Sequence, residues 1–181
     1  SSDYIANPSA VGCFTCHDSH TTGDFSLRTN APGMLASGDA YNFGEGNLCA
    51  SCHQARRSAN DYVKANAADA TVSSHYGAHH GPQADILAGA NAYEFPGKSY
   101  SSTMHSTVVK DGCVQCHMAL PEARYSLSPL VGGHSFNILG EVHEDEKANV
   151  SGCVSCHKDI KQVKGTELFD IAARADYDND D

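Results

Sequence analysis

Cys13-Phe14-Thr15-Cys16-His17 recurs three times along the chain, as Cys49-Ala50-Ser51-Cys52-His53, Cys113-Val114-Gln115-Cys116-His117 and Cys153-Val154-Ser155-Cys156-His157. C-x-x-C-H is the attachment pattern of c-type haem. Two thiols three positions apart form thioethers to the two vinyl groups of one porphyrin, and the adjacent histidine supplies an axial nitrogen to the iron. The four copies use all eight cysteines, so no thiol remains for a disulfide or a nucleophile. Zinc ribbons also use paired C-x-x-C motifs, but they do not require a histidine after every second cysteine. A disulfide framework predicts no fixed spacing at all. The expectation is four covalent haem c groups held by Cys13, Cys16, Cys49, Cys52, Cys113, Cys116, Cys153 and Cys156, with proximal ligands His17, His53, His117 and His157.

Composition agrees with such a fold. The chain has 181 residues, 40% hydrophobic content and no Trp, which is thin material for a protein core of this size. Four large flat porphyrins would change that account. The expected fold is mainly irregular with short α-helices and very little β, one domain over residues 1–181 wrapped around four haems. A polar N-terminal arm (1–10) and an acidic C-terminal tail (176–181) flank it. The formal charge of -10 argues against nucleic acid or an anionic membrane as partner, and no apolar run reaches the length of a membrane span. Haem is attached to this motif outside the cytoplasm in bacteria and archaea. The location expected is therefore extracellular, at the cell surface or in the periplasm, after export by a cleaved signal peptide.

Between the motifs, residues 31–48 are rich in Gly, Asn and Ala and read as loop. A helix is expected from Gln54 to about Ala68, with Arg56, Arg57 and Lys64 placed to face haem propionates or solvent. Gln83 to Leu87 reads as a short helix with Pro82 near its start, and Pro121 as a stop for any helix after the third motif. Residues 141–146 are an acidic stretch, and an amphipathic helix is expected at about 166–175. Asp176, Asp178 and Asp180 look like half of a calcium loop, but a solvated tail is the preferred reading, with calcium a minor alternative.

The sixth ligand on each iron separates a carrier from an enzyme. Seven of the eleven histidines remain for four positions, which favours bis-histidine ligation throughout, closed irons and no catalytic site. Met118 directly follows a proximal histidine and is badly placed for the far face of that ring. His105 lies among small residues ahead of the third motif, and His134 lies between glycines and Phe136. Of the neighbours His79 and His80, His79 is preferred; His80 and His75 are alternates. His143, among acidic residues, reads as a surface histidine. His20 stands three residues after His17, on the same side of a helical turn. It has no easy route to the far face of the first haem, so as a ligand it would serve a different one.

Cys13-Phe14-Thr15-Cys16-His17-Asp18-Ser19-His20, His79-His80-Gly81-Pro82-Gln83-Ala84-Asp85, Ser102-Thr103-Met104-His105 and Gly133-His134-Ser135-Phe136 resemble stretches of small bis-histidine multihaem cytochromes c. The chain resembles most of all the tetrahaem extracellular cytochromes that polymerise into conductive filaments, or cytochrome nanowires. That resemblance implies electron transport, with copies of the chain joined head to tail and His20 ligating a haem of the next subunit. Such a heterologous contact makes an open filament when it does not close. Redox proteins or extracellular electron acceptors would be the other partners. The alternatives are a monomeric periplasmic electron shuttle, an electron-transfer subunit of a reductase, or a reductase acting on a small oxyanion. The last needs an open haem.

Overall fold

The computed structural model describes residues 7, 10–18, 23–66, 81–121, 130–142, 145–158, 160–162 and 169–170. They fall into two compact units, Ser1–Val108 and Val109–Asp181, each carrying two of the four motifs. Most of the described backbone is irregular, with a few short helices and two- to four-residue strands.

In the first unit, helix α1 (Cys13–Cys16) is a single turn. Residues 25–28 fold back along it: Asp18 N donates to Ser26 O and Arg28 N to Cys16 O, both over 2.9 Å. The Gly- and Asn-rich stretch expected to be loop is more ordered than its composition suggests. Strands β1 (Gly33–Met34) and β2 (Ala40–Tyr41) pair antiparallel, Gly33 opposite Tyr41. The turn between them needs the left-handed backbone of Gly38 (φ +92°), which glycine adopts without steric cost. Tyr41 stacks on Phe43 at 5.4 Å, and both join Leu35, Ala50 and Ala84 in the buried cluster. Asn47, itself buried, accepts from Phe43 N (2.6 Å) and donates to Asn30 O (2.8 Å) and Asn42 Oδ1 (3.1 Å). It thereby satisfies the buried N–H of Phe43 and its own side-chain amide within a segment of little regular structure. A 3-10 turn (Gly44–Gly46) leads into α2 (Asn47–Cys52).

The helix expected from Gln54 begins only at Ala59: α3 spans Ala59–Asn66, and Ala67 and Ala68 lie outside the described residues. The delay has a tertiary cause. Ala55 N donates to Asp85 Oδ2 (2.7 Å), and Arg57 O accepts from Asn91 Nδ2 (3.1 Å), so the backbone there is committed elsewhere. The helix starts once Ser58 O accepts from Tyr62 N and Ser58 Oγ from Asp61 N. Helix α4 (Gln83–Ala88) follows Pro82 as expected and ends at Gly89 in the left-handed conformation, a common helix stop. Helix α5 (His105–Val108) packs against α4.

In the second unit, α6 (Cys113–His117) ends four residues before Pro121, with Met118 as its cap. Gly133–Ser135 form a 3-10 turn. Strands β3 (Leu139–Val142) and β4 (Asp145–Ala148) pair antiparallel, which sets Glu141 of the acidic stretch opposite Glu146. Gly140 on β3 has no room for a side chain, because a Cβ there would meet Val131 Cγ1 at 2.8 Å. Val131 is fully buried. Strands β5 (Lys161–Gln162) and β6 (Phe169–Asp170) pair. This corrects the C-terminal helix expectation at Phe169 and Asp170, whose backbone is committed to the ladder with Lys161 and Gln162. The remaining residues of that helix, other than these two, lie outside the described ones, as does the acidic tail. Among the described residues no helix is long and apolar enough to cross a membrane.

Candidate functional site

Each C-x-x-C-H copy closes one helical turn. His17 N donates to Cys13 O (2.9 Å), His53 N to Cys49 O (2.8 Å) and His157 N to Cys153 O (2.8 Å), and the third copy is the helix α6 itself. One turn puts residues i and i+3 on the same side, so the two thiols of each pair emerge together with the histidine beside them. None of the eight cysteines is joined in a disulfide. Among the described residues, which include all eight, no group of three or more His, Cys, Asp or Glu is arranged to hold a metal ion.

His17 and His117 are each oriented by a backbone carbonyl. His17 Nδ1 lies 2.6 Å from Phe25 O, and His117 Nδ1 lies 2.8 Å from Phe136 O. A carbonyl oxygen only accepts, so Nδ1 carries the proton in both. In the neutral imidazole the lone pair is then on Nε2, the tautomer that an axial ligand needs. The Phe25 ring meets the His17 ring edge-on at 6.0 Å. His53 is held through its backbone: His53 O accepts from Ala84 N of α4 (2.9 Å).

The second motif is further braced by a buried carboxylate. Asp85, 3% exposed, accepts from Ala55 N and from Asn91 Nδ2, both over 2.7 Å. Asn91 Oδ1 in turn accepts from Ala59 N (2.8 Å). Two charge-assisted hydrogen bonds thus fix the chain leaving His53 to the helix that follows Gly81 and Pro82.

The third and fourth motifs lie against each other. A Cβ on Gly152 would come 2.6 Å from Gln115 O and 3.0 Å from Cys116 Cα. Burial raises the pKa of Cys116, with a further push from Cys153, and burial raises that of Cys153. Asn149, buried, donates to Ala119 O (2.7 Å) and accepts from Ser151 N (3.2 Å), so it joins the exit of one motif to the entry of the next.

Large apolar side chains beside the motifs are exposed: Val11, Phe14 and Phe25 near the first, Leu120 and Phe136 near the third, Val154 within the fourth. These are surfaces on which a flat apolar porphyrin would pack. Arg28 Nη1 donates to Phe14 O (3.0 Å), which stations a cation beside the first motif. Thiol pairs on single turns, imidazoles presented through Nε2 and flanking apolar surface together fit a covalently attached haem.

No family model, no curated protein and no solved structure matches this chain.

Of the histidines expected as sixth ligands, His105 and His134 are described. His105 opens α5 in the first unit, its Nδ1 3.2 Å from Thr103 Oγ1. His134 sits in the 3-10 turn of the second unit, its ring 6.1 Å from that of Phe136. That turn is tied to the third motif, since Gly133 N donates to Met118 O (3.2 Å). His20, His79, His80, His75 and His143 lie outside the described residues. Sequence reasoning missed the carbonyls of Phe25 and Phe136, the braces Asp85, Asn91 and Asn149, the spacer Gly152, and Arg28. A buried Asp or Asn has no local signature, and every residue has a carbonyl.

Proposed function

We propose that this chain is an electron-transfer protein carrying four covalent c-type haems. In this reading the cysteine pairs of the four motifs form the thioethers, and His17, His53, His117 and His157 are the proximal ligands. His20, His79, His105 and His134 supply the sixth positions. Each bound haem would contribute a one-electron ferric/ferrous couple. The chain's own groups attach it, aim an imidazole at its iron and cover its faces. The observation that carries the reading is the pair of hydrogen bonds from His17 and His117 Nδ1 to backbone carbonyls. They leave Nε2 as the ligating atom on motifs that already present two thiols from one turn. With histidine on both faces no iron is open to substrate, so the chain is a carrier and not an enzyme. The proposed setting is outside the cytoplasm. Copies join head to tail through His20 into an extracellular filament that moves electrons over long distances.

Mass spectrometry of protein matured with the haem-attachment machinery tests the cofactor: four haems covalently bound are expected, and none would overturn the proposal. Magnetic circular dichroism tests the ligation. All four irons are expected low-spin, and a high-spin signal from a quarter of the iron would defeat the bis-histidine assignment. Negative-stain microscopy tests the assembly, with filaments expected and uniform monomers pointing to a shuttle.

A further inference from the structure

His134 follows the third motif in the chain and is tied to it in space, which makes the third haem its obvious partner. The hydrogen bonds of that region point elsewhere. His117 Nδ1 donates to Phe136 O at 2.8 Å, so residue 136 lies on the side of the His117 ring turned away from Nε2. The iron of the third haem would bind Nε2. The 3-10 turn Gly133–Ser135 is held on the motif's exit by Gly133 N to Met118 O and is closed by Phe136 N to Gly133 O (3.3 Å). His134 is thus anchored on both sides behind the proximal histidine. Two residues of extended chain span at most about 7 Å. To ligate the third iron, His134 would have to pass the proximal imidazole, round the porphyrin edge and return to the far face.

The fourth motif is close to this turn. The space beside Gly132 (φ +69°) is taken by Ala119 O and by Asn149 Nδ2, the latter at 2.9 Å. Asn149 donates to the same Ala119 O. Three residues on, Gly152 lies on Gln115 and Cys116. The chain entering the fourth motif therefore passes beside the loop that carries His134. We infer that His134 is the axial ligand of the fourth haem and not of the third, so that the ligand following one attachment site closes the neighbouring one. This rests on the haem reading above.

The test uses the holoprotein and compares three backgrounds: the full chain, a chain lacking the third attachment site (Cys113→Ala, Cys116→Ala, His117→Ala) and a chain lacking the fourth (Cys153→Ala, Cys156→Ala, His157→Ala). His134→Ala is added to each, and high-spin iron is counted by magnetic circular dichroism. In the full chain one haem is expected to become high-spin, and in the chain without the third site one of the remaining haems is expected to do so as well. In the chain without the fourth site His134→Ala is expected to add no high-spin iron. No high-spin gain in the full chain, or none without the third site, or a gain without the fourth, overturns the assignment. Should either site-deleted chain fail to fold, a structure of the unaltered holoprotein decides by showing which iron His134 Nε2 approaches. An unaltered chain with no covalent haem would instead defeat the haem reading itself, an outcome that haem counting separates from the others.

Discussion

His117 Nδ1 donates to the backbone carbonyl of Phe136 across 2.8 Å and nineteen residues of chain. The acceptor residue holds the left-handed backbone, φ +56°, which costs a side chain as large as Phe about 1 kcal/mol or more. Strain at a residue whose carbonyl orients a candidate iron ligand is where such a cost is expected to persist.

Replacing that residue separates the carbonyl from the ring. Phe136→Pro forces φ near -65° and removes the N–H that closes the turn on Gly133 O, so the carbonyl swings off His117, whereas Phe136→Gly accepts the left-handed backbone and keeps both the turn and the carbonyl in place. An Nδ1–H held by a carbonyl makes the imidazole a stronger donor and favours ferric iron. In the holoprotein, Phe136→Pro is expected to raise the potential of one haem by roughly 40 mV, the one-electron equivalent of a hydrogen bond worth about 1 kcal/mol. Phe136→Gly should move it much less. Spectroelectrochemical titration reads both, and equal shifts would show that the ring matters and the carbonyl does not.

Asp85 offers a second check, on stability. Its carboxylate accepts from Ala55 N and Asn91 Nδ2 inside the protein. Asp85→Ala leaves both donors without that acceptor and is expected to cost about 2–4 kcal/mol, read as a fall in the thermal midpoint. Asp85→Asn keeps one acceptor oxygen and should cost about half as much. An Ala variant as stable as the parent would mean that this network does not brace the second motif.

The parts of the site that were legible in the sequence are local. Two cysteines and a histidine within five residues need only one turn to converge, and each of the four copies makes that turn. Pro82 and Gly89 bracket α4 for reasons internal to the helix. What escaped sequence reasoning is set from a distance. The helix after His53 starts late because Asp85, thirty residues on, takes the N–H of Ala55. The hairpin at Gly33–Tyr41 was hidden by glycines, although Tyr41 and Phe43 carry the alternation of a strand with one buried face. The partners of His17 and His117 are carbonyls, which differ in nothing from any other carbonyl until the chain is folded.

The filament proposal turns on His20, three residues beyond His17. His20→Ala is expected to abolish filaments in negative-stain images while at least three of the four haems stay low-spin and all four stay attached. The thioethers do not involve that side chain. Adding imidazole would refill the open position and return the lost low-spin signal without restoring filaments, because a free ligand cannot bridge two subunits. Filaments of normal length from His20→Ala would rule out an essential cross-subunit ligand.

Gly152 sets how closely the third and fourth C-x-x-C-H motifs approach. A methyl group there would overlap Gln115 O at 2.6 Å and press on Cys116 Cα at 3.0 Å, both parts of the backbone of a helical turn that cannot rotate aside. Gly152→Ala is expected to destabilise the protein by about 1–3 kcal/mol, the usual cost of overpacking. It should also weaken any magnetic coupling between two of the haems in the EPR spectrum of the oxidised protein, because the motifs must separate to admit the methyl. Gly12→Ala serves as the comparison. Gly12 precedes the first motif as Gly152 precedes the fourth, yet a Cβ there meets nothing within 4 Å, and its φ of -118° suits any residue. That variant should be neutral or slightly more stable through a less flexible unfolded chain. If Gly152→Ala matched Gly12→Ala in both thermal midpoint and coupling, the close approach of the two motifs would not be a property of the folded holoprotein.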